Sequence, residues 1–131
     1  MRYDLKDLVG EKVISIKGSV GDSVFEIQTV NFSLELYHSQ HCCESVYIVD
    51  ICGNPSDLID GFLTMSEEVS SGGLSSTEEK RIEEGTTSFT WTFYKFATQK
   101  TYVTVSFFGE SNGYYSESVY VYINKKEKQK E

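Results

Sequence analysis

The sequence predicts an α+β chain that is predominantly antiparallel β: a twisted sheet or two-layer meander with a short N-terminal helix and one further helical turn. Three observations lead there. Nine Tyr, eight Phe and one Trp load the chain with side chains that favour a pleated surface. Many segments alternate apolar and polar residues with period two, and a single proline interrupts them. A chain of 131 residues is long enough for one real core and too short for two ordinary domains.

The elements follow in order. In RYDLKDLVG, Asp4 is placed to cap a helix, Leu5, Leu8 and Val9 form its apolar stripe, and Gly10 can end it. KVISIKG alternates, with Ile14 and Ile16 facing away from Val13, Ser15 and Lys17. SVFEIQ and FSLELYH make a hairpin joined near Thr29-Val30-Asn31. Its second strand carries Phe32, Leu34 and Leu36 on one face and Ser33, Glu35 and Tyr37 on the other. SVYIVDI is apolar on both faces, which predicts a covered, central strand. GNPSDLIDG turns, with a helical turn over 56–60, and FLTMSEEV is a further strand. The polar, acidic stretch SSGGLSSTEEKRIEEGTT cannot bury enough apolar surface to order itself, so a mobile loop is expected at about 70–85.

SFTWTFYKFA, TYVTVSFFG and ESVYVYI predict three antiparallel strands in a meander. A three-residue loop Ser111-Asn112-Gly113 would pair Val105 with Val119 and Val103 with Val121. The expected core face carries Phe89, Trp91, Phe93, Val103, Val105, Phe107, Val119, Val121 and Ile123, with Lys95 marking where its strand emerges to solvent. On the reverse face Tyr94, Phe96, Tyr102, Phe108, Tyr120 and Tyr122 share one parity. An aromatic patch of that size predicts self-association, at least to a dimer. One folded domain over 1–124 and a charged tail over 125–131 complete the organisation.

The formal charge is −8, which repels nucleic acid and anionic membrane. No stretch approaches the roughly 20 apolar residues of a membrane span. MRYDLKDLVGEK carries charges where a signal peptide needs an apolar core, so the expected setting is the cytoplasm. Three cysteines, two of them the neighbours Cys42 and Cys43, predict reduced thiols, with Cys52 in the core.

Chemistry concentrates in HSQHCCE. In an extended chain His38, Gln40, Cys42 and Glu44 point one way and His41 and Cys43 the other. His38, Cys42 and Glu44 are therefore the candidate metal ligands, although the paired knuckles of structural zinc sites are missing. A thiolate–imidazolium pair from Cys42 or Cys43 with His38 or His41 is the second possibility. The third is plain packing: small cysteines at a strand start, with His38 bonded to backbone. A second motif is GESNGYYSES. Asn-Gly is a turn signal, but Glu110, Ser111, Asn112, Tyr114, Tyr115 and Glu117 offer stacking rings and hydrogen-bonding groups, which also suit a ligand or a protein partner. His38, Gln40 and Glu44 join them as candidate contact residues. Lys12, Lys17, Lys95 and Lys100 are the cations from which a local anion pocket would have to be built.

HSQHCCESVYIVDICGNPSDLI, TWTFYKFATQKTYVTVSFFG and ESNGYYSESV together resemble a family of short, uncharacterised proteins encoded by bacteriophages and prophages. Its members carry a similar His-x-Gln-Asp-Cys-Cys-Glu stretch, a Val-x-Ile-x-Asp-Ile strand, and Thr-Trp-Thr-Phe-Tyr and Ser-Asn-Gly-Tyr-Tyr-Ser segments. The resemblance spans roughly residues 5 to 123. His41 stands where that family usually shows aspartate, which sets aside any role needing a carboxylate there. The resemblance implies phage origin and the host cytoplasm, and it brings no activity with it. With no phosphate-binding glycine loop and no paired-carboxylate constellation in the sequence, a binding module that needs no cofactor is expected. It would counter host antiviral defence by sequestering a nucleotide-like signal or docking on a host protein. The alternatives are a small Cys/His- or metal-dependent enzyme and a structural or accessory phage protein.

Overall fold

The structure, a computed structural model, describes residues 3–39, 44–71, 88–111 and 117–126. Eight strands run in chain order: β1 (Val13–Lys17), β2 (Val24–Thr29), β3 (Phe32–Tyr37), β4 (Ser45–Cys52), β5 (Met65–Ser71), β6 (Ser88–Ala97), β7 (Tyr102–Ser111) and β8 (Tyr120–Lys125). They form two antiparallel four-stranded sheets, ordered β1-β2-β3-β8 and β4-β7-β6-β5. The inner faces meet in one core of Phe25, Ile27, Leu34 and Leu36 from the first sheet against Tyr94, Phe96, Val103, Val105 and Phe107 from the second. The Phe25 and Phe96 rings stack across that gap at 6.4 Å. Helix among the described residues is limited to two 3-10 turns, Leu5–Leu8 and Pro55–Leu58. The α+β expectation thus becomes an all-antiparallel β architecture. The N-terminal apolar stripe is too short for more than one turn, which buries Leu8 and leaves Val9 49% exposed.

The β2–β3 hairpin forms where its alternation places it. Ile27 opposes Leu34 and Phe25 opposes Leu36 on the inner face, and the Phe32 N–H donates to Thr29 Oγ1 across the turn. Glu11 braces this turn from outside. Its carboxylate accepts from the Asn31 N–H at 2.9 Å, Asn31 Nδ2 at 3.0 Å and Thr29 Oγ1 at 2.9 Å. Burial alone would raise the carboxyl pKa, but those hydrogen bonds and the Lys125 charge outweigh it, so the group sits below its ordinary 4.5. A carboxyl depressed on folding contributes stability above about 4.5 and loses it as pH falls through the lower, folded value. Glu11→Gln is expected to cost about 1 kcal/mol at pH 7. That difference should shrink in denaturation curves taken below pH 4.5.

Four expectations are corrected. In β1, Ile14 and Ile16 do not share a face: a bulge between Val13 and Ser15 buries Val13, leaves Ile14 49% exposed and turns Ile16 toward Ile27. β4 is an edge strand rather than a central one. Its free edge is occupied at Ile48, whose N–H donates to the Asp22 carbonyl while its carbonyl accepts from the Gly21 N–H, and its outward Tyr47 packs on Phe108. Both features reward apolar residues on both faces. Cys52, expected in the core, is an exposed free thiol at the end of β4.

The fourth correction concerns the aromatic C-terminal strands. The loop 98–101 pairs Ala97 with Tyr102, so Phe96 meets Val103, Tyr94 meets Val105 and Thr92 meets Phe107. Partners across an antiparallel pair share a face, so Thr92, Tyr94 and Phe96 turn inward. Trp91 and Phe93 turn outward, stacked at 6.1 Å, with Phe89 and Trp91 packed on Phe108. Lys95, now on the outer face opposite Glu67, is no longer an exception. β8 does not continue the meander beside β7. It crosses to pair with β3, setting Ile123 against Leu34 and Val121 against Leu36. The six aromatic residues expected on one exposed face are therefore divided: Tyr94 and Phe96 lie in the core, Tyr102 and Phe108 on the outside of one sheet, and Tyr120 and Tyr122 on the outside of the other. That face gives self-association no support.

Most of the expected acidic loop, the 127–131 part of the tail, and Gln40, His41, Cys42, Cys43, Asn112, Gly113, Tyr114 and Tyr115 lie outside the described residues. No helix among the described residues is long and apolar enough to cross a membrane.

Candidate functional site

Two strand connections cross between the sheets at the same end of the molecule. β3 leads to β4, and β7 leads to β8. The registers require this: Tyr37, the last residue of β3, pairs with Tyr120, the first of β8, while Ser45, the first of β4, pairs with Glu110 near the end of β7. The sequence candidates His38, Glu44, Glu110, Ser111 and Glu117 all fall at this end.

His38 and Glu44 face each other as their shared parity suggested. Nε2 lies 2.8 Å from Glu44 Oε2, with the two side chains 1% and 0% exposed. Nδ1 lies 2.6 Å from the carbonyl oxygen of Ser118, on the other crossover. A carbonyl only accepts, so Nδ1 carries the hydrogen it donates. The 2.8 Å contact on the far side also needs a proton, shared by imidazole and carboxylate. Both ring nitrogens are thereby committed. The imidazole also stacks on Tyr120 at 6.1 Å, and Tyr120 contacts Tyr37 at 5.7 Å.

A second buried carboxylate stands nearby in the fold. Glu117, 6% exposed, accepts from Thr90 Oγ1 at 2.7 Å and from Ser111 Oγ at 2.5 Å. Its backbone crosses directly over Gly109. A Cβ at Gly109 would come within 2.9 Å of both the Cβ and the carbonyl oxygen of Glu117. Thr90, Gly109 and Ser118 were not among the sequence candidates. A glycine inside the strand run FFGES was the available signal, since it marks the close approach of another backbone.

Glu110 is half-buried and paired with Ser45 and Phe89. Among the described residues no group of three or more His, Cys, Asp or Glu is placed to hold a metal ion, and Cys42 lies outside them. Of the lysines considered for an anion pocket, Lys12 and Lys17 are on or beside β1, whereas Lys95 and Lys100 belong to the other sheet's hairpin. What the cluster does is tie both crossovers together through buried, charge-assisted hydrogen bonds.

A family model described as a domain of unknown function, DUF7448, matches residues 6–121. No curated protein and no solved structure matches the chain.

Proposed function

The chain belongs to the DUF7448 family, a domain of unknown function, and we propose that its task is to hold a partner rather than to transform a substrate. The observation that carries this is the commitment of His38. A cysteine nucleophile needs an imidazole nitrogen free to take the thiol proton, and a metal needs a ring lone pair. His38 spends one nitrogen on Ser118 and the other on Glu44. Recruiting it would break a contact that holds the crossovers.

The resemblance to phage and prophage proteins supports a place in the cytoplasm of an infected cell. There a small binder would blunt host antiviral defence by sequestering a nucleotide-like signal or by docking on a host protein. The net charge of −8 favours a neutral or cationic partner over an anionic nucleotide. Purified protein incubated with extract of infected bacteria, then heated, is expected to release a molecule that mass spectrometry finds chemically unchanged. Cys42→Ser should retain its effect on plaque formation. Consumption of a metabolite by substoichiometric protein, abolished in Cys42→Ser, would overturn the proposal in favour of an enzyme.

A further inference from the structure

The two sheets leave four outer edges, and two of them are covered. At β1 the Asp60 N–H donates to the Val13 carbonyl and the Val13 N–H donates to Gly61. At β4 the Gly21–Asp22 turn bonds Ile48. The edges of β5 and β8 have no such cover: among the described residues, β5 makes its ladder bonds to β6 and β8 to β3. Between them, floored by the first 3-10 turn, opens a cleft of about 810 Å³. That volume lies within the usual range of small-molecule sites, which is roughly 300–1,000 Å³.

The cleft is built for a polar contact that the protein does not make itself. Ser66 forms part of its wall, is 2% exposed, and its hydroxyl has no hydrogen-bond partner among the described residues. Behind it in the sheet lies the fully buried Tyr94, whose hydroxyl is beside the Glu68 carboxylate. A buried hydroxyl without a partner is uncommon in a folded core and calls for a bound group. Burial, and then the charge and hydrogen-bonding contact of the Glu68 carboxylate, push the Tyr94 ionisation far above its ordinary range. Among the described residues, Asp4, Glu67 and Glu68 line the cleft with one cation, Lys6. Val119 and Val121 form an apolar wall, and Tyr120 adds an aromatic ring.

We propose that the cleft between β5 and β8 binds a small organic amine. Its ammonium would sit between Ser66 and Glu68, and its apolar body would lie along Val119 and Val121. Glu68 supplies the charge, the Ser66 hydroxyl accepts an N–H bond, and the valines remove the hydrocarbon from water. An anionic ligand meets the wrong charge. This inference rests on the binding-module proposal above but uses none of the residues that carry it.

The test is a 1H–15N NMR titration of the full chain with phenethylamine, set against 2-phenylethanol and 3-phenylpropionate. Saturable shifts are expected at Ser66, Glu68, Val119 and Val121 with the amine, about tenfold weaker binding for the alcohol, and none for the acid. Glu68→Gln should weaken amine binding about tenfold, while Glu26→Gln, the same charge change on the outside of the other sheet, should leave it unchanged. Ser66→Ala should weaken binding and, by removing an unpartnered buried hydroxyl, raise the Tm of the unliganded protein by roughly 2–4 °C. Equal binding of amine and alcohol, indifference to Glu68→Gln, or a lower Tm in Ser66→Ala would overturn the site. None of these results would touch His38, so the binding-module proposal would stand or fall separately.

Discussion

His38→Ala is expected to destabilise the protein by about 3 to 5 kcal/mol, the range found when one partner of a buried charged pair is removed. The size follows from how much the ring does. It donates to Ser118 at 2.6 Å, shares a proton with Glu44 at 2.8 Å and stacks on Tyr120. Alanine removes all three at once, and the Glu44 side chain, 0% exposed, loses its imidazole in a place water does not reach. A surface ion pair would be worth at most about 1 kcal/mol, so burial decides the outcome. The penalty should therefore depend on the charge of its partner. Adding Glu44→Gln to His38→Ala should recover at least about 1 kcal/mol, because a neutral amide is cheaper to bury than a carboxylate. Urea denaturation at pH 7 of wild type, both single variants and the double variant measures this. Strict additivity, or a loss under about 1 kcal/mol for His38→Ala, would mean that the pair does not hold the crossovers.

The sequence made local features legible and neighbours much less so. Period-two patterns placed β2, β3 and β6 to within a residue, and identified Val121 and Ile123 as inward-facing. Which strand they pair with was another matter. A short link between β7 and β8 made a meander the economical choice, because sequential strands usually lie side by side. Yet Leu34 and Leu36 of β3 present the same inward pattern as Val103 and Val105 of β7, and Ile123 and Val121 fit either. Parity in β6 was ambiguous for a related reason. Trp91 and Phe93 are larger than Thr92, so size suggested them for the core. The four-residue loop 98–101 fixed the opposite register, and an outer cluster with Phe108 took up the displaced rings. In the candidate site the pairing of His38 with Glu44 was readable, since residues six apart on an extended chain face the same way. Ser118 and Thr90 were not readable, because they arrive through crossovers whose direction alternation does not encode.

Gly109→Ala is expected to cost about 2 to 3 kcal/mol, the usual range for forcing a methyl group into a filled site. Gly109 sits in β7 between Val46 of β4 and Thr90 of β6, so its strand is held on both sides. The added Cβ would stand 2.9 Å from the Cβ and carbonyl oxygen of Glu117 and 3.2 Å from Val46 Cγ2. One of those atoms is backbone, so no rotamer change relieves the contact; β7 or the segment entering β8 must move. If that segment moves, the Glu117 carboxylate is drawn from Thr90 and Ser111, and buried hydrogen bonds lengthen. Gly10→Ala separates this steric effect from backbone strain. Gly10 has a φ of +93° with nothing within 4 Å of an added Cβ, so only the left-handed conformation penalises alanine, by about 1 kcal/mol. Equilibrium denaturation should rank Gly109→Ala well below Gly10→Ala in stability. Glu117→Gln should then cost less in the Gly109→Ala background than in wild type, since a carboxylate already displaced has less to lose. The reverse ranking, or full additivity of the two changes, would mean that Gly109 is not what lets Glu117 close the crossover.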